Sequence, residues 1–250
     1  MQPGKKKLVL LPTFIVLLSM LVTACGGGGG NNTSSQGTTA APASQQIFRY
    51  PIGATDFSTL DPALVQLATD AQAIETIYTG LVQFDNNLNV VDTLAASHSI
   101  SSDGLTYTFT LRPNLKFSDG TPLTSADVAY SINRALAPAT KSQVSYYDAL
   151  IKDYDKFTTG KIPTLIGDSI MTPDANTIKI IISSPAAYFL QALTYPVNYV
   201  VEKKVIDQWG TTWTDHLADN GGQGGDGPFK VSSYSHTVGL DLVPNPNYFG

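Results

Sequence analysis

The segment Thr106–Leu111 constrains the fold of this chain most, because its side chains alternate strictly between two kinds. Threonines alternate with the apolar residues Tyr107, Phe109 and Leu111. A period of two places the apolar side chains on one face of a strand and the threonines on the other. An Asp-Gly pair, which is typical of tight turns, lies a few residues before the segment and another lies a few residues after it. The sequence therefore predicts a half-buried strand between two turns.

Two helices are predicted from apolar residues at helical spacing. The first covers Asp70–Leu81, and Thr69 with Gln72 is expected to form its capping box. The second begins after Thr124, with Asp127 near its positive end, and ends before the next proline. The apolar positions are Ile74, Ile77, Tyr78 and Leu81 in the first helix, and Val128, Ile132, Ala135 and Leu136 in the second.

Other segments carry shorter patterns of the same two kinds. They predict a helix over about 185–193, a turn at 173–176, and strands at 47–52, 81–84, 88–91, 177–182, 230–234 and 240–243. The turn at 85–87 would join two of these strands in a hairpin. Strands that alternate with helices, together with antiparallel hairpins, predict an α/β lobe on a mixed sheet.

The N-terminal segment reads as the signal peptide of a bacterial lipoprotein, residues 1–24. Three lysines precede the uncharged apolar run Leu8–Ala24, and the run ends in a sequence that resembles a lipobox before Cys25. Cys25, the single cysteine, would become the lipidated N-terminus. A transmembrane anchor is the alternative, but 17 residues at ~1.5 Å each give roughly 25 Å, short of the ~30 Å hydrocarbon core.

Residues 25–46 are predicted to be a flexible tether, and residues 47–250 the folded lobe. The tether consists of small and polar residues without charge, which cannot bury enough apolar surface to fold. Over the whole chain only 14% of residues are charged, which suits an exported protein. Without the signal peptide, 12 basic residues face 20 acidic ones, so nucleic acid is not an expected partner.

The longest signature runs from Asp103 to Arg112 and continues through Lys116–Thr124 and Asp127–Val128. With Leu60-Asp61-Pro62, Gly225–Val231 and Asn245–Tyr248, it resembles the oligopeptide, dipeptide and nickel-binding family of extracytoplasmic solute-binding proteins. The resemblance covers about residues 47–250. It implies an N-terminal lobe of the type II periplasmic-binding-protein fold, with the second lobe absent from this chain. It also implies a binding protein, not an enzyme.

The resemblance further implies a ligand site. In the family, backbone that follows the Leu-Asp-Pro motif lies along the ligand like an added strand, a position held here by Gln66, Leu67 and Ala68. Aromatic residues after the second helix also face the cleft in relatives, which makes Tyr146 and Tyr147 candidates. Short peptides and ABC-transporter permease subunits are the implied partners, and no cofactor is implied.

Two further positions bear on this site. Many relatives carry a glutamate in a Tyr-Glu-Gly-Leu motif where this chain has Thr79, so a polar role there is open. Arg112 could meet a ligand carboxylate, although a framework ion pair is the expected role.

Other chemistries have weaker support. A G-x-G-x-x-G pattern at 222–227 precedes a predicted strand instead of a helix, so we interpret it as a loop. The segment 85–96 lacks the glycine and final glutamate of a calcium loop. The three histidines lack ligand spacing, and no hydrolase motif is present. Oligosaccharide, nickel or haem as ligand, a truncated non-binding remnant, and a surface hydrolase stay open as alternatives.

Overall fold

The computed structural model describes residues 56–250, in which eight strands and five α-helices alternate with short 3-10 helices. The strands are β1 (Val82–Phe84), β2 (Val90–Asp92), β3 (Ala95–Ile100), β4 (Thr106–Leu111), β5 (Ile170–Asp174), β6 (Thr177–Ile181), β7 (Phe229–Ser235) and β8 (Gly239–Pro244). The helices are α1 (Ala68–Ile77), α2 (Ser125–Leu136), α3 (Tyr154–Thr158), α4 (Phe189–Ala192) and α5 (Lys203–Trp209).

The central sheet has four strands in the order β3-β4-β6-β5, and the pairs β1-β2 and β7-β8 form two hairpins. Every pairing of these strands is antiparallel, and the one parallel pairing in residues 56–250 is a bridge between Ile166 and Ile170. The predicted α/β class is confirmed. The sheet that was expected to be mixed is antiparallel in its named strands.

The alternating strand is confirmed as β4, between β3 and β6. Tyr107, Phe109 and Leu111 are buried, and helix α2 packs its apolar face into the same core through Val128 and Ile132. The capping box of α2 is present, since Thr124 and Asp127 exchange side-chain to backbone hydrogen bonds. The two elements with the strongest local signals therefore fold together.

Helix α1 differs from its prediction at both ends. It begins at Ala68, and the predicted capping box of Thr69 and Gln72 is wrong, because the N-cap is Leu67, without a side-chain cap. Instead, Asp70 accepts a hydrogen bond from the Ser58 amide at 3.1 Å. The helix ends at Ile77 and not at residue 81, because the next residue is already extended.

Several other elements differ from the sequence prediction. Strand β3, strand β5 and helix α5 were not predicted, and the helix expected over 185–193 is shortened to α4. The turn expected at 173–176 overlaps the end of β5, and β2 begins two residues later than predicted. Residues 1–55, with the predicted signal peptide, Cys25, tether and first strand, lie outside the described residues. In the described part, no helix has the length and apolarity needed to cross a membrane.

Arg112 takes a framework role, although not as an ion pair. Its Nε donates to the Thr93 carbonyl, and its guanidinium lies 5.1 Å from the ring centroid of Phe249. Within residues 56–250 no carboxylate pairs with it. The alternative role, contact with a ligand carboxylate, stays a prediction.

The glycine-rich segment is a loop, as predicted, and its glycines allow close packing. A Cβ atom at Gly225 or Gly227 would overlap the Ile77 carbonyl group at the end of α1. Asp226, between them, is buried and accepts a hydrogen bond from the Thr79 amide at 2.9 Å. The loop therefore fixes the point where the chain leaves α1.

A buried ion pair connects three distant segments. Asp61 accepts from the guanidinium of Arg134, with Nη1 at 3.0 Å, and from the indole Nε1 of Trp213 at 3.2 Å. It also accepts from the Ala63 amide at 2.9 Å, so both carboxylate oxygens are used. The Arg134 guanidinium lies 5.5 Å from the Trp213 ring centroid.

Replacing Asp61 with alanine should lower the free energy of unfolding by about 3 to 5 kcal/mol, because the Arg134 charge would stay buried without its partner. Urea unfolding followed by circular dichroism measures the change. Asp168→Ala is the matched control: it breaks an exposed pair with Lys152 and should change stability little. Equal losses in the two variants would contradict the role assigned to Asp61.

Candidate functional site

An exposed segment of three residues precedes helix α1. Gln66, Leu67 and Ala68, all predicted as ligand contacts, are exposed, and the side chain of Leu67 is 52% exposed. Val65 on one side and Asp70 on the other are buried. The segment is thus held at both ends while its own side chains stay outside the core.

The backbone of this segment has free hydrogen-bonding groups. Within residues 56–250, neither the amide nor the carbonyl of Gln66 takes part in a hydrogen bond. The carbonyl of Leu67 is used by the Ala71 amide, as the first bond of the helix. An exposed, extended backbone with an unpaired donor and acceptor is the arrangement that accepts an added strand.

Three tyrosine rings form a stack that includes both predicted tyrosines. Tyr146 lies on Tyr147 with a centroid distance of 4.7 Å, and Tyr147 lies on Tyr195 at 4.0 Å. Tyr146 is 60% exposed, whereas Tyr147 and Tyr195 are half-buried. Interaction with the Tyr146 hydroxyl, together with burial and the nearby Tyr195, raises the pKa of Tyr147 to about 12. Tyr147 is therefore uncharged at neutral pH, and the stack has one open end, at Tyr146.

A small apolar cluster joins the turn that precedes the segment to the stack. Ala63, Val144 and Val197 are buried together, and Tyr147 and Tyr195 pack against them. The 3-10 helix at residues 62–64 packs directly on that at residues 196–198. The structure thus links the turn just before residues 66–68 to the tyrosine stack, and it adds Tyr195, which no local pattern in the sequence marked.

A buried polar pair lies directly behind the stack. Asp148, next to Tyr147 in sequence, is fully buried, and its Oδ1 accepts from the Asn198 side-chain amide at 3.1 Å. Its other oxygen and the Asn198 Oδ1 have no hydrogen-bond partner in residues 56–250. Burial raises the pKa of Asp148 to about 7, against the pull of the Asn198 amide, which lowers it.

A cavity of about 330 Å³ opens at the other end of helix α1. Its lining residues come from α1, β1, the 194–199 segment and the two ends of the β7-β8 hairpin: Glu75, Tyr78, Thr79, Gly80, Gln83, Phe84, Thr194, Tyr199, Pro228 and Tyr248. Thr79, the position that departs from the family motif, lies in its buried floor. Burial raises the pKa of Glu75, the only charged residue of the lining.

No group of three or more histidine, cysteine, aspartate or glutamate side chains in the described residues could hold a metal ion. The three histidines of this part each contact an aspartate instead: His98 pairs with Asp92, His216 with Asp219, and His236 with Asp56. The candidate site thus consists of an exposed backbone segment, a tyrosine stack and a cavity. These are features that can bind a ligand.

Comparison with known proteins agrees with this reading. Residues 89–250 match the bacterial extracellular solute-binding proteins, family 5 Middle. The chain belongs to this family. Because the family consists of binding proteins, the prediction that the chain is not an enzyme is confirmed, and so is the resemblance found in the sequence.

Individual relatives support the same assignment. The dipeptide-binding protein of Lactococcus lactis subsp. cremoris (strain MG1363) is 31% identical over 204 residues, which are 78% of this chain and 36% of the relative. The probable deoxycholate-binding periplasmic protein YgiS of Escherichia coli (strain K12) is 33% identical over 211 residues, 82% of this chain and 38% of the relative.

Solved structures show the fold. The crystal structure of the periplasmic oligopeptide-binding protein OppAIV from Borrelia burgdorferi superposes with a TM-score of 0.71 at 30% identity, covering 78% of this chain and 39% of that one. The predicted fold type is confirmed over this length. The chain spans less than two fifths of the length of these three relatives.

The buried Asp148 predicts a pH dependence of stability. In the unfolded chain its pKa is about 3.9, against about 7 in the fold, so the folded state holds the proton more strongly. The stability that this proton contributes is fully present below about pH 4 and is lost as pH rises through 7, by about 4 kcal/mol in total.

Asp148→Asn imitates the protonated form, so its free energy of unfolding should exceed that of the native protein at pH 8 and match it near pH 4. Urea unfolding at a series of pH values measures the difference between the two proteins. Asp226, whose burial also raises its pKa, contributes equally to both and cancels. A difference that does not change with pH would show that Asp148 ionises normally.

Proposed function

We propose that this protein captures short peptides outside the cell membrane and delivers them to the permease subunits of an ABC importer. The observation that carries the proposal is the exposed segment at Gln66, whose amide and carbonyl make no hydrogen bond within residues 56–250, in a chain of the family-5 solute-binding proteins. Relatives named as dipeptide-binding and oligopeptide-binding proteins support peptides as the ligand class.

The proposed capture uses backbone pairing. A peptide that lies along residues 66–68 gains main-chain hydrogen bonds of a kind that every peptide can make, so affinity depends little on its side chains. Val65 is extended, with φ −62° and ψ 128°, and Leu67 is extended as well, so the segment already has the shape of a strand. Little conformational entropy would be lost at this segment on binding.

The tyrosine stack would then contact a side chain of the ligand. The open end of the stack presents Tyr146, and Leu67 is exposed on the segment at 66–68. Aromatic rings supply a large apolar contact area with few rotatable bonds, which favours their use in recognition. We propose contact roles for Tyr146 and Tyr147, with Tyr195 as the support beneath them.

An amphipathic steroid is the second candidate ligand. The relative YgiS is named as a probable deoxycholate-binding protein, and the exposed apolar surface of Tyr146 and Leu67 would also suit a flat apolar molecule. A steroid would use the stack but not the free backbone at Gln66. Binding of deoxycholate and not of peptides would leave the transport proposal standing and overturn the peptide assignment.

The peptide proposal predicts different effects of two changes at one position. Gln66→Pro removes the backbone donor, and the extended Val65 before it can precede a proline, so the fold should tolerate the change. Gln66→Ala keeps the donor. Peptide affinity should therefore fall about fivefold in Gln66→Pro, the factor of one net hydrogen bond of ~1 kcal/mol, and stay within about twofold in Gln66→Ala.

Saturation-transfer NMR with di- to pentapeptides at millimolar concentration measures these affinities. We expect affinity weaker than micromolar, that is, less favourable than about −8 kcal/mol, because a single exposed face buries less of a ligand than the 70–90% typical of closed sites. Equal effects of the two substitutions would contradict backbone pairing. A micromolar dissociation constant would show that the chain encloses its ligand.

We also propose that a lipid on Cys25 anchors the protein at the outer face of the membrane, with residues 25–46 as tether. Expressed in a bacterial host, the native chain should partition into the detergent phase of a two-phase extraction and gain the mass of a diacylglycerol. Cys25→Ala should lose the added mass. If it stays bound to the membrane equally well, the apolar run before Cys25 acts as the anchor by itself.

A further inference from the structure

The cavity at the end of helix α1 holds an unpaired carboxylate. Glu75 is the only charged residue among the ten that line it, and within residues 56–250 it makes neither an ion pair nor a side-chain hydrogen bond. Other acids of the described part are paired: Asp61 with Arg134, Asp119 with Lys204, Asp168 with Lys152 and Asp207 with Lys203. Glu75 differs from them in facing an open cavity.

The cavity has a polar mouth and a closed floor. Glu75, Gln83 and Phe84 are exposed and stand at the mouth, and the ring of Phe84 is 44% exposed. Thr79 and Tyr199 are buried and form part of the floor. A ligand group that enters the cavity would therefore pass the carboxylate of Glu75, the amide of Gln83 and the ring of Phe84.

Gly80 keeps the floor of the cavity open. A Cβ atom at this position would lie 3.0 Å from Cδ1 of the Tyr199 ring, closer than ordinary van der Waals contact. The ring can therefore form the wall of the cavity directly, without a side chain in front of it. Four aromatic residues belong to the lining: Tyr78, Phe84, Tyr199 and Tyr248.

We propose that this cavity is a subsite for a cationic alkyl group, such as the side chain of lysine, with Glu75 as its ionic partner. A primary ammonium group on a short alkyl chain matches both features of the lining: the charge meets the carboxylate, and the chain covers the rings. Aromatic rings also attract cations, most strongly where water is excluded. The volume of about 330 Å³ leaves room for one such side chain with water around it.

The charge of Glu75 determines which ligand groups the cavity favours. An anionic group would meet a carboxylate and no cation in the lining, so the cavity disfavours it. Although Glu75 is exposed at the mouth, the surrounding residues partly desolvate its carboxylate and raise its pKa. A nearby ammonium group compensates for that loss of hydration, whereas an alcohol of equal length does not.

In peptide capture, the subsite would favour peptides that carry a lysine side chain. This role of the subsite rests on the proposed function. Thr194 lines the cavity and the next residue, Tyr195, supports the tyrosine stack. Glu75 lies seven residues after Ala68 in helix α1, a rise of about 10 Å. An extended peptide covers that distance in about three residues, at ~3.3 Å each. A lysine about three positions from the residue paired at Gln66 would reach the cavity.

Small probes test the subsite without any peptide. We expect n-butylammonium to bind the 250-residue chain, in mild detergent, about threefold more tightly than n-butanol, the factor of an exposed ion pair, and n-butyrate most weakly. Saturation-transfer NMR titrations measure all three. Equal affinity for the ammonium and the alcohol would overturn the proposal.

Three variants test whether n-butylammonium binds in this cavity and next to Glu75. Glu75→Gln should reduce the affinity for n-butylammonium to that for n-butanol and leave n-butanol unchanged. Asp155→Asn, the matched control, removes an exposed acid on α3, outside the cavity, and should preserve the native ratio. Phe84→Ala should weaken both probes alike. If Glu75→Gln keeps the native ratio, the cation binds elsewhere and the proposal is wrong.

Experiments with peptides then test the subsite and the proposed function independently of each other. The native chain should prefer a pentapeptide with lysine to the same peptide with norleucine, and Glu75→Gln should lose this preference. If the ammonium probe binds as expected and no peptide binds, the subsite stands and the peptide proposal fails. If both peptides bind equally well to the native chain, peptide capture stands and the subsite has no part in it.

Discussion

The buried carboxylate of Asp61 is the contact on which the described structure depends. Residues far apart in sequence donate to it: Ala63 from the turn that it starts, Arg134 from α2 and Trp213 from a later 3-10 helix. A carboxylate and a guanidinium both lose hydration in this position, so the arrangement is stable only when all donors are in place. One residue therefore fixes the path of the chain just before the exposed segment at 66–68.

The sequence predicted those elements whose signals are local. Strand β4 follows from strict alternation, and α2 from apolar residues at helical spacing after the cap residue Thr124. Strand β3 was missed because its sequence, AASHSI, is mostly polar and small, and its strand conformation comes from pairing with β4. The start of α1 was misplaced for a similar reason, since Asp70 is held by Ser58 across 12 residues and not by a local cap.

The candidate site likewise contains some residues with local sequence signals and others that only the fold brings together. The segment at 66–68 and the tyrosines at 146 and 147 could be named because they follow motifs along the chain. Tyr195 stacks on Tyr147 across 48 positions, and Asp148 meets Asn198 across 50, so no local pattern could reveal either pair. Glu75 lies in a predicted helix and has no local sequence pattern that marks it as a site residue. Only the folded chain shows that it faces a cavity lined by residues from five separate segments.

Backbone pairing by itself cannot distinguish one peptide from another, so selectivity has to come from side chains beside the paired segment. Two such groups exist in the described part, the tyrosine stack and the cavity at Glu75, and the stretch from Thr194 to Tyr199 contributes to both. The backbone groups proposed to pair with a peptide lie elsewhere, on the segment at 66–68. Asp61 fixes the chain just before this segment through its contacts with Arg134 of α2 and with Trp213. On the proposed function, substitutions in the stack or the cavity would change which ligand is preferred, while the segment at 66–68 keeps its geometry. A scaffold with this separation can serve relatives whose names refer to different ligands, dipeptides in one case and deoxycholate in another, without a change of fold.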